Sequence, residues 1–216
     1  KQITEDAIDH AHGLLQNTAT QISGELQIVE ATLKQSVWIV EKNLSTPDSL
    51  RDILTAIVKN NSLIVGSGIA FIPEYYKEKG KYFMPYAFSI NEGEEEIINF
   101  LKLGGADYDY PCMDWYLIPK LLKKSYWSEP YYDTGGGNTI MSTYSLPLCN
   151  QQGEVYAIFT ANISLSRFTD MVNELKPYQS SYTFLLSRNG SFLTHPDREK
   201  IMNETIFSVA LSNNDN

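Results

Sequence analysis

Apolar residues recur in steps of three and four along residues 4–44, at Ile8, Ala11, Leu15, Thr18, Ile22, Leu26, Val29, Leu33, Val37, Val40 and Leu44. That spacing keeps one stripe on one face of a helix. No proline interrupts it, and only Gly13 and Gly24 weaken it. At 1.5 Å per residue such a rod is about 60 Å long, so it projects beyond the body it packs on or lies along two modules. A hairpin partner, a coiled-coil dimer seam and a signalling stalk leading from a membrane all fit this pattern. Ser45-Thr46-Pro47-Asp48 then breaks the helix and starts another that runs to about residue 60. Ser45 or Thr46 offers a side-chain cap, and Pro47 has its φ pre-set for a first turn. Beyond Asn60-Asn61 the period changes to that of strands, predicted over 63–72, 82–90, 97–103, 139–148 and 155–163 and bounded by Gly, Pro or Asn turns. Five strands with one helical insert, at 114–124, predict an antiparallel sheet. Gly153 supplies the positive φ of the hairpin between the last two strands.

Composition narrows the function. The chain has 216 residues, room for one large domain or for one domain and part of a second. Seventeen Lys and Arg against 26 Asp and Glu leave a net charge of −9, with no basic run longer than two, which argues against nucleic acid as a partner. No run of 18 apolar residues is present to span a bilayer, and the N-terminus lacks a signal-peptide pattern, so the chain reads as a soluble protein or a soluble part of one. Cys112 and Cys149 stand 37 positions apart, too few for a disulfide framework and without the CxxC spacing of a zinc or redox site. No cofactor or metal is expected. The acidic run Glu92, Glu94, Glu95, Glu96 reads as a solvated hairpin tip rather than a cation site. His10, His12 and His195 are not paired in sequence with a nucleophile, and His195 precedes Pro196 in a turn. No GxSxG, P-loop, HExxH or dinucleotide fingerprint occurs, so no catalysis is expected.

Residues 107–138 hold the densest aromatic stretch. Tyr108, Tyr110, Trp115, Tyr116, Tyr126, Trp127, Tyr131 and Tyr132 fall within 25 positions. Along the insert helix Trp115, Ile118 and Leu122 form a core face, while Lys120, Lys123 and Lys124 stay wet. Some of these rings are core. A loop-rich segment this aromatic, carrying Asp133 and the Gly135-Gly136-Gly137 run, also has what a small-ligand pocket needs, namely flat apolar walls and a few placed polar groups.

At these residues the chain resembles the double Cache family of extracytoplasmic sensor domains of bacterial transmembrane receptors. The resemblance rests on the long first helix, on Trp115-Tyr116 followed by Pro119, and on Trp127-Ser128-Glu129-Pro130-Tyr131-Tyr132-Asp133. It continues through Met141-Ser142-Thr143-Tyr144-Ser145-Leu146-Pro147-Leu148, Ala161-Asn162-Ile163-Ser164-Leu165 and Leu193-Thr194-His195-Pro196-Asp197. It implies an α+β fold with a PAS-like antiparallel sheet in each module, a ligand pocket in the membrane-distal one, and transmembrane helices flanking this part. The chain would then be the periplasmic or extracellular part of an inner-membrane receptor. The implied divisions are a stalk over 1–45, a distal module over 46–165, and the start of a proximal module over 166–216. That last module opens with a helix over 168–175 and strands over 182–187 and 191–194, and would need two or three more strands to be complete.

The resemblance also carries residue roles. Amino-acid-binding members place an arginine two residues before the tryptophan to hold a carboxylate, and an aspartate at the end of the last distal strand to hold the amine; here those positions are Met113 and Asn162. A bidentate carboxylate partner and an ammonium countercharge are both missing, which tells against a free α-amino acid. Tyr108 or Tyr110, Trp115, Tyr116, Tyr131, Asp133, Tyr144 and Asn162 remain as candidate ligand contacts, an aromatic box with one carboxylate suited to an uncharged or singly cationic metabolite. The resulting expectation is a ligand-sensing module that binds a small molecule, signals through its long helix, and pairs with a second copy along it. The competing reading is a structural interaction module whose stalk dimerises and whose aromatic cluster is only core.

Overall fold

The structure is a computed structural model that describes residues 2–92, 95–105, 108–134, 139–175, 178 and 180–214, with side chains from residue 6 to 212 except at 91–96. The acidic tip and the Gly135-Gly136-Gly137 run therefore lie outside the described residues or side chains. By its internal contacts the chain divides into two bodies. One holds residues 28–128 and 132–164, the other 1–27, 129–131 and 165–216. The first helix, α1 (Gln2–Lys42), contributes to both.

In the larger body, α1 is followed by a 3-10 turn at Pro47–Ser49 and by α2 (Leu50–Lys59). Thr46 precedes the turn but makes no side-chain cap. Instead its Oγ1 pairs with Ser49 Oγ at 3.1 Å, and Ser49 Oγ donates to Asn43 Oδ1 at 3.0 Å, so the hydroxyls close the corner between helices rather than the α2 amides. Strands β1 (Gly66–Phe71), β2 (Met84–Glu92) and β3 (Glu95–Leu103) come next, then α3 (Asp114–Leu122). The two-residue strands β4 (Tyr126–Trp127) and β5 (Tyr131–Tyr132) follow, and the long hairpin of β6 (Ile140–Cys149) and β7 (Val155–Ser164) completes one antiparallel sheet. Its order is β3-β2-β1-β7-β6-β4, with β5 on β6. All five strands read from the sequence are present within about three residues at each end; β4 and β5 are too short to show a period.

Register decides which side chains face which helices. Directly paired residues share a face, so Tyr144, Ala161 and Ser67 point one way, while Thr143, Asn162 and Gly66 point the other. The first face is covered by helices. Trp127 Nε1 donates to Glu30 on α1 at 3.1 Å, the Trp127 ring packs on Tyr144 at 5.2 Å, and the Lys34 ammonium lies 5.8 Å from the Tyr144 ring centre. Val29, Leu33 and Val40 of α1 and Leu50 and Leu54 of α2 are buried. The opposite face carries α3, which packs on β6 and β7.

The smaller body holds the first part of α1 with α4 (Leu165–Asn173), the short strands β8 (Leu185–Leu186) and β9 (Phe192–Thr194), and α5 (Ile206–Asn214). Arg167 makes two 3.1 Å bonds to the Glu25 carboxylate, joining α4 to α1. Here the apolar stripe is looser than its sequence suggests, with Ile22 and Leu26 half-buried and Ile8 and Leu15 exposed. His195 is buried against Phe192, and its Nδ1 accepts the Asp197 N–H at 2.9 Å, which fixes the turn before Pro196. Cys112 and Cys149 are both exposed and unbridged.

Candidate functional site

The site is built on the face of β1, β7 and β6 that α3 covers. That face is polar where a core would be apolar. Thr143, Ser145, Thr160 and Asn162 are all buried there, and the large majority of buried polar groups have partners. Thr160 Oγ1 donates to the Gly68 carbonyl at 3.1 Å. The Asn162 amide has the richest set: Nδ2 donates to the Tyr86 hydroxyl at 3.0 Å and lies 3.1 Å from Met141 Sδ, while Thr143 Oγ1 donates to Asn162 Oδ1 at 3.4 Å.

Tyr86 reaches Asn162 by lying across β1. A Cβ on Gly66 would run into the Tyr86 hydroxyl, and one on Gly68 would come within 2.8 Å of Met84 Cε and 3.0 Å of the Tyr86 ring. The two glycines of Gly66-Ser67-Gly68 therefore make a trough for the ring, a use of strand glycine where another group must approach the backbone closely. Tyr86 and Met141 join the candidate site through Asn162 without having been singled out in the sequence, and the paired strand glycines are the signal for Tyr86.

Trp115 and Tyr116 come from the first turn of α3 and are buried at 3% and 1% exposure. Their rings stand perpendicular at 6.2 Å, and Tyr116 packs on Tyr110 at 5.2 Å. Trp115 Nε1, the Tyr116 hydroxyl and Ser145 Oγ are buried without a hydrogen-bond partner among the described residues. Burial pushes the Tyr116 hydroxyl up to about 12, so it remains a neutral donor. Asp133 is 3% exposed and accepts from the Tyr108 hydroxyl at 3.4 Å; its backbone N–H bonds to the Thr139 carbonyl, at the entry to β6.

The structure separates the predicted residues. Tyr108 and not Tyr110 reaches Asp133. The Tyr110 hydroxyl donates to the Phe71 carbonyl at 2.6 Å and its ring is fully buried, so it anchors the insert to the end of β1. Tyr144 lies on the other face of the sheet from Asn162, under α1 with Trp127, because residues 143 and 144 of a strand alternate sides. It is a core residue of the helix side. Tyr131 is half-buried and falls within the smaller body. Asn162 is engaged by Tyr86 and Thr143 rather than standing open. Met113, at the position of the family's arginine, is exposed. Among the described residues no group of three His, Cys, Asp or Glu side chains could hold a metal ion, and no helix is long and apolar enough to cross a membrane.

Known proteins match both sequence and fold. A methyl-accepting chemotaxis protein of Pseudomonas syringae pv. tomato, PscA, is 30% identical over 97 residues, which are 45% of this chain and 15% of that protein, so the match spans well under two thirds of the relative. A solved structure of methyl-accepting chemotaxis protein X superposes with a TM-score of 0.81 at 22% identity, covering 98% of this chain and 84% of the other. The ligand-binding domain of the Pseudomonas aeruginosa PAO1 amino acid chemoreceptor PctC, solved with GABA, superposes at 0.62 with 16% identity over 97% of this chain and 83% of its own. At these identities the two structures speak for the fold alone. Residues 50–170, more than half of the chain, match the family described as methyl-accepting chemotaxis protein-like, first PDC sensor domain, and the chain therefore belongs to that family of non-enzymatic, extracytoplasmic sensor modules.

Proposed function

We propose that this chain is the ligand-sensing part of a bacterial transmembrane receptor, that residues 46–165 form its ligand-binding module and 166–216 begin a second, and that the ligand is a small, uncharged or singly cationic metabolite. The observation that carries this reading is the pair of buried donors on α3, Trp115 Nε1 and the Tyr116 hydroxyl, left without partners above a polar sheet face. Each such donor costs about 1–3 kcal/mol when unpaired, a cost that a ligand acceptor removes. Asp133, buried and bonded to the Tyr108 hydroxyl, would supply the place for a cationic end, and the indole and phenol rings would supply walls for stacking and cation–π attraction. With Met113 exposed and Asn in place of Asp at 162, the family's arginine and aspartate have no counterparts at their own positions, so the clamp on a free amino acid's carboxylate is missing there.

Flanking transmembrane helices and pairing of two copies along α1 belong to the same reading. Binding would favour one of two packings of the module on α1, by its differential affinity for them. A thermal-shift and calorimetric screen of metabolites tests it. A ligand found in this way should lose about 2 kcal/mol or more with Trp115→Ala and, if cationic, also with Asp133→Ala. Undiminished binding by both variants removes the site assignment, and micromolar affinity for a common amino acid overturns the ligand class.

A further inference from the structure

We propose a second ligand site, independent of the reading above, on the helix-covered face of the sheet between the start of α2 and the β2–β3 edge, which takes a small aromatic carboxylate. A cleft of about 400 Å³ opens there, within the range of small-molecule sites. Its floor is apolar and rigid: Phe83 and Pro85 are buried, and Phe100 pairs across from Ala87 on the same face. The Arg51 guanidinium lies 5.3 Å from the Phe100 ring centre, and it makes no ion pair among the described residues.

Charge at the cleft is the reverse of the whole chain. The chain carries −9, yet the cleft lining holds two cations, Arg51 and Lys102, against a single carboxylate, Asp48, which Lys79 from outside the lining holds at 2.9 Å and Lys102 at 3.7 Å. Lys79 pairs closely with Asp48, leaving Lys102 loosely engaged and Arg51 with its hydrogen-bonding edge unspent. A guanidinium is itself planar and presents parallel N–H groups that match a carboxylate in two-point fashion. The aromatic and proline walls beside it match a planar apolar body. A phosphate would use the charge but leave the walls unfilled, whereas an aromatic carboxylate uses both.

Benzoate is the probe, added to the whole 216-residue chain in calorimetry and in ligand-observed NMR, with benzyl alcohol, acetate and inorganic phosphate as separate arms. Benzoate is expected to saturate below roughly 1 mM, with each of the other three at least about tenfold weaker. Arg51→Gln is expected to weaken benzoate by about tenfold or more and Arg51→Lys by less, since only the fork geometry is lost. Trp115→Ala should leave benzoate binding unchanged, which keeps this result separate from the fate of the α3 site. The proposal is overturned if benzoate fails to saturate, if phosphate binds as tightly, if Arg51→Gln has no effect, or if Trp115→Ala abolishes binding.

Discussion

Tyr86 shows how one side chain is shaped by residues that have none. Its ring occupies the trough left by Gly66 and Gly68 and brings a hydroxyl to Asn162, so the two glycines shape the surroundings of Asn162 without contacting it through side chains of their own. Gly66→Ala would push a methyl group into that hydroxyl, and because the ring is 2% exposed it has nowhere to retreat without moving the sheet. Overpacking of this kind costs about 1–3 kcal/mol. Denaturant unfolding of the variant should show a loss of that size, and tyrosine NMR should show the Tyr86 environment changed; an unperturbed spectrum with full stability would mean the trough is not shaped by these glycines. From the sequence, a Gly-x-Gly within a strand marks a place where another group can approach the backbone closely, but not which side chain fills it. The aromatic insert was legible as a candidate site because Trp115, Tyr116 and Asp133 are unusual side chains in a loop-rich stretch, whereas the difference between Tyr108 and Tyr110 depends on which hydroxyl meets a backbone carbonyl, and no periodicity encodes that.

Among the elements, the join between α1 and the outer strand β4 rests on Glu30, which accepts from Trp127 Nε1 at 3.1 Å and from Lys34 Nζ at 3.0 Å. Partial burial works to raise the Glu30 carboxyl, but the bonds from Trp127 and Lys34 outweigh it and hold the group below the ordinary glutamate range. A carboxyl depressed in the folded state contributes stability that is fully present above its unfolded value and is lost as pH falls through the lower, folded one. Trp127→Phe removes one of those bonds, so it should raise the Glu30 value measured by NMR titration and shrink the difference in stability between neutral and acidic pH. An unchanged titration would show that Trp127 does not hold the carboxylate. The core beneath this join offers a second measurement: Leu33 is fully buried, and Leu33→Ala should cost about 2–5 kcal/mol in denaturant unfolding. The apolar stripe through Val29, Leu33 and Val40 was plain in the sequence, but Tyr144 was not separable from its neighbours there, since a strand buried on both faces shows no alternation.

At the scale of the whole molecule, α1 contributes to both bodies, and its stiffness bears on the signalling proposed for it. Glycine in a helix interior costs roughly 0.5–1 kcal/mol relative to alanine, because it loses more backbone freedom on folding. Gly13 and Gly24 both stand inside α1, and a Cβ added at either meets nothing within 4 Å. No steric reason for glycine therefore exists at these two positions, in contrast to Gly66. Gly24→Ala should stabilise the helix by up to about 1 kcal/mol, which for a chain of this length corresponds to a rise of roughly 2–4 °C in Tm. Amide exchange should slow in the turns around residue 24 while the sheet amides keep their rates. A fall in Tm would mean that α1 bends at Gly24 in the working protein in a way that a side chain obstructs, and slower exchange confined to the sheet would place the stabilisation somewhere other than the helix.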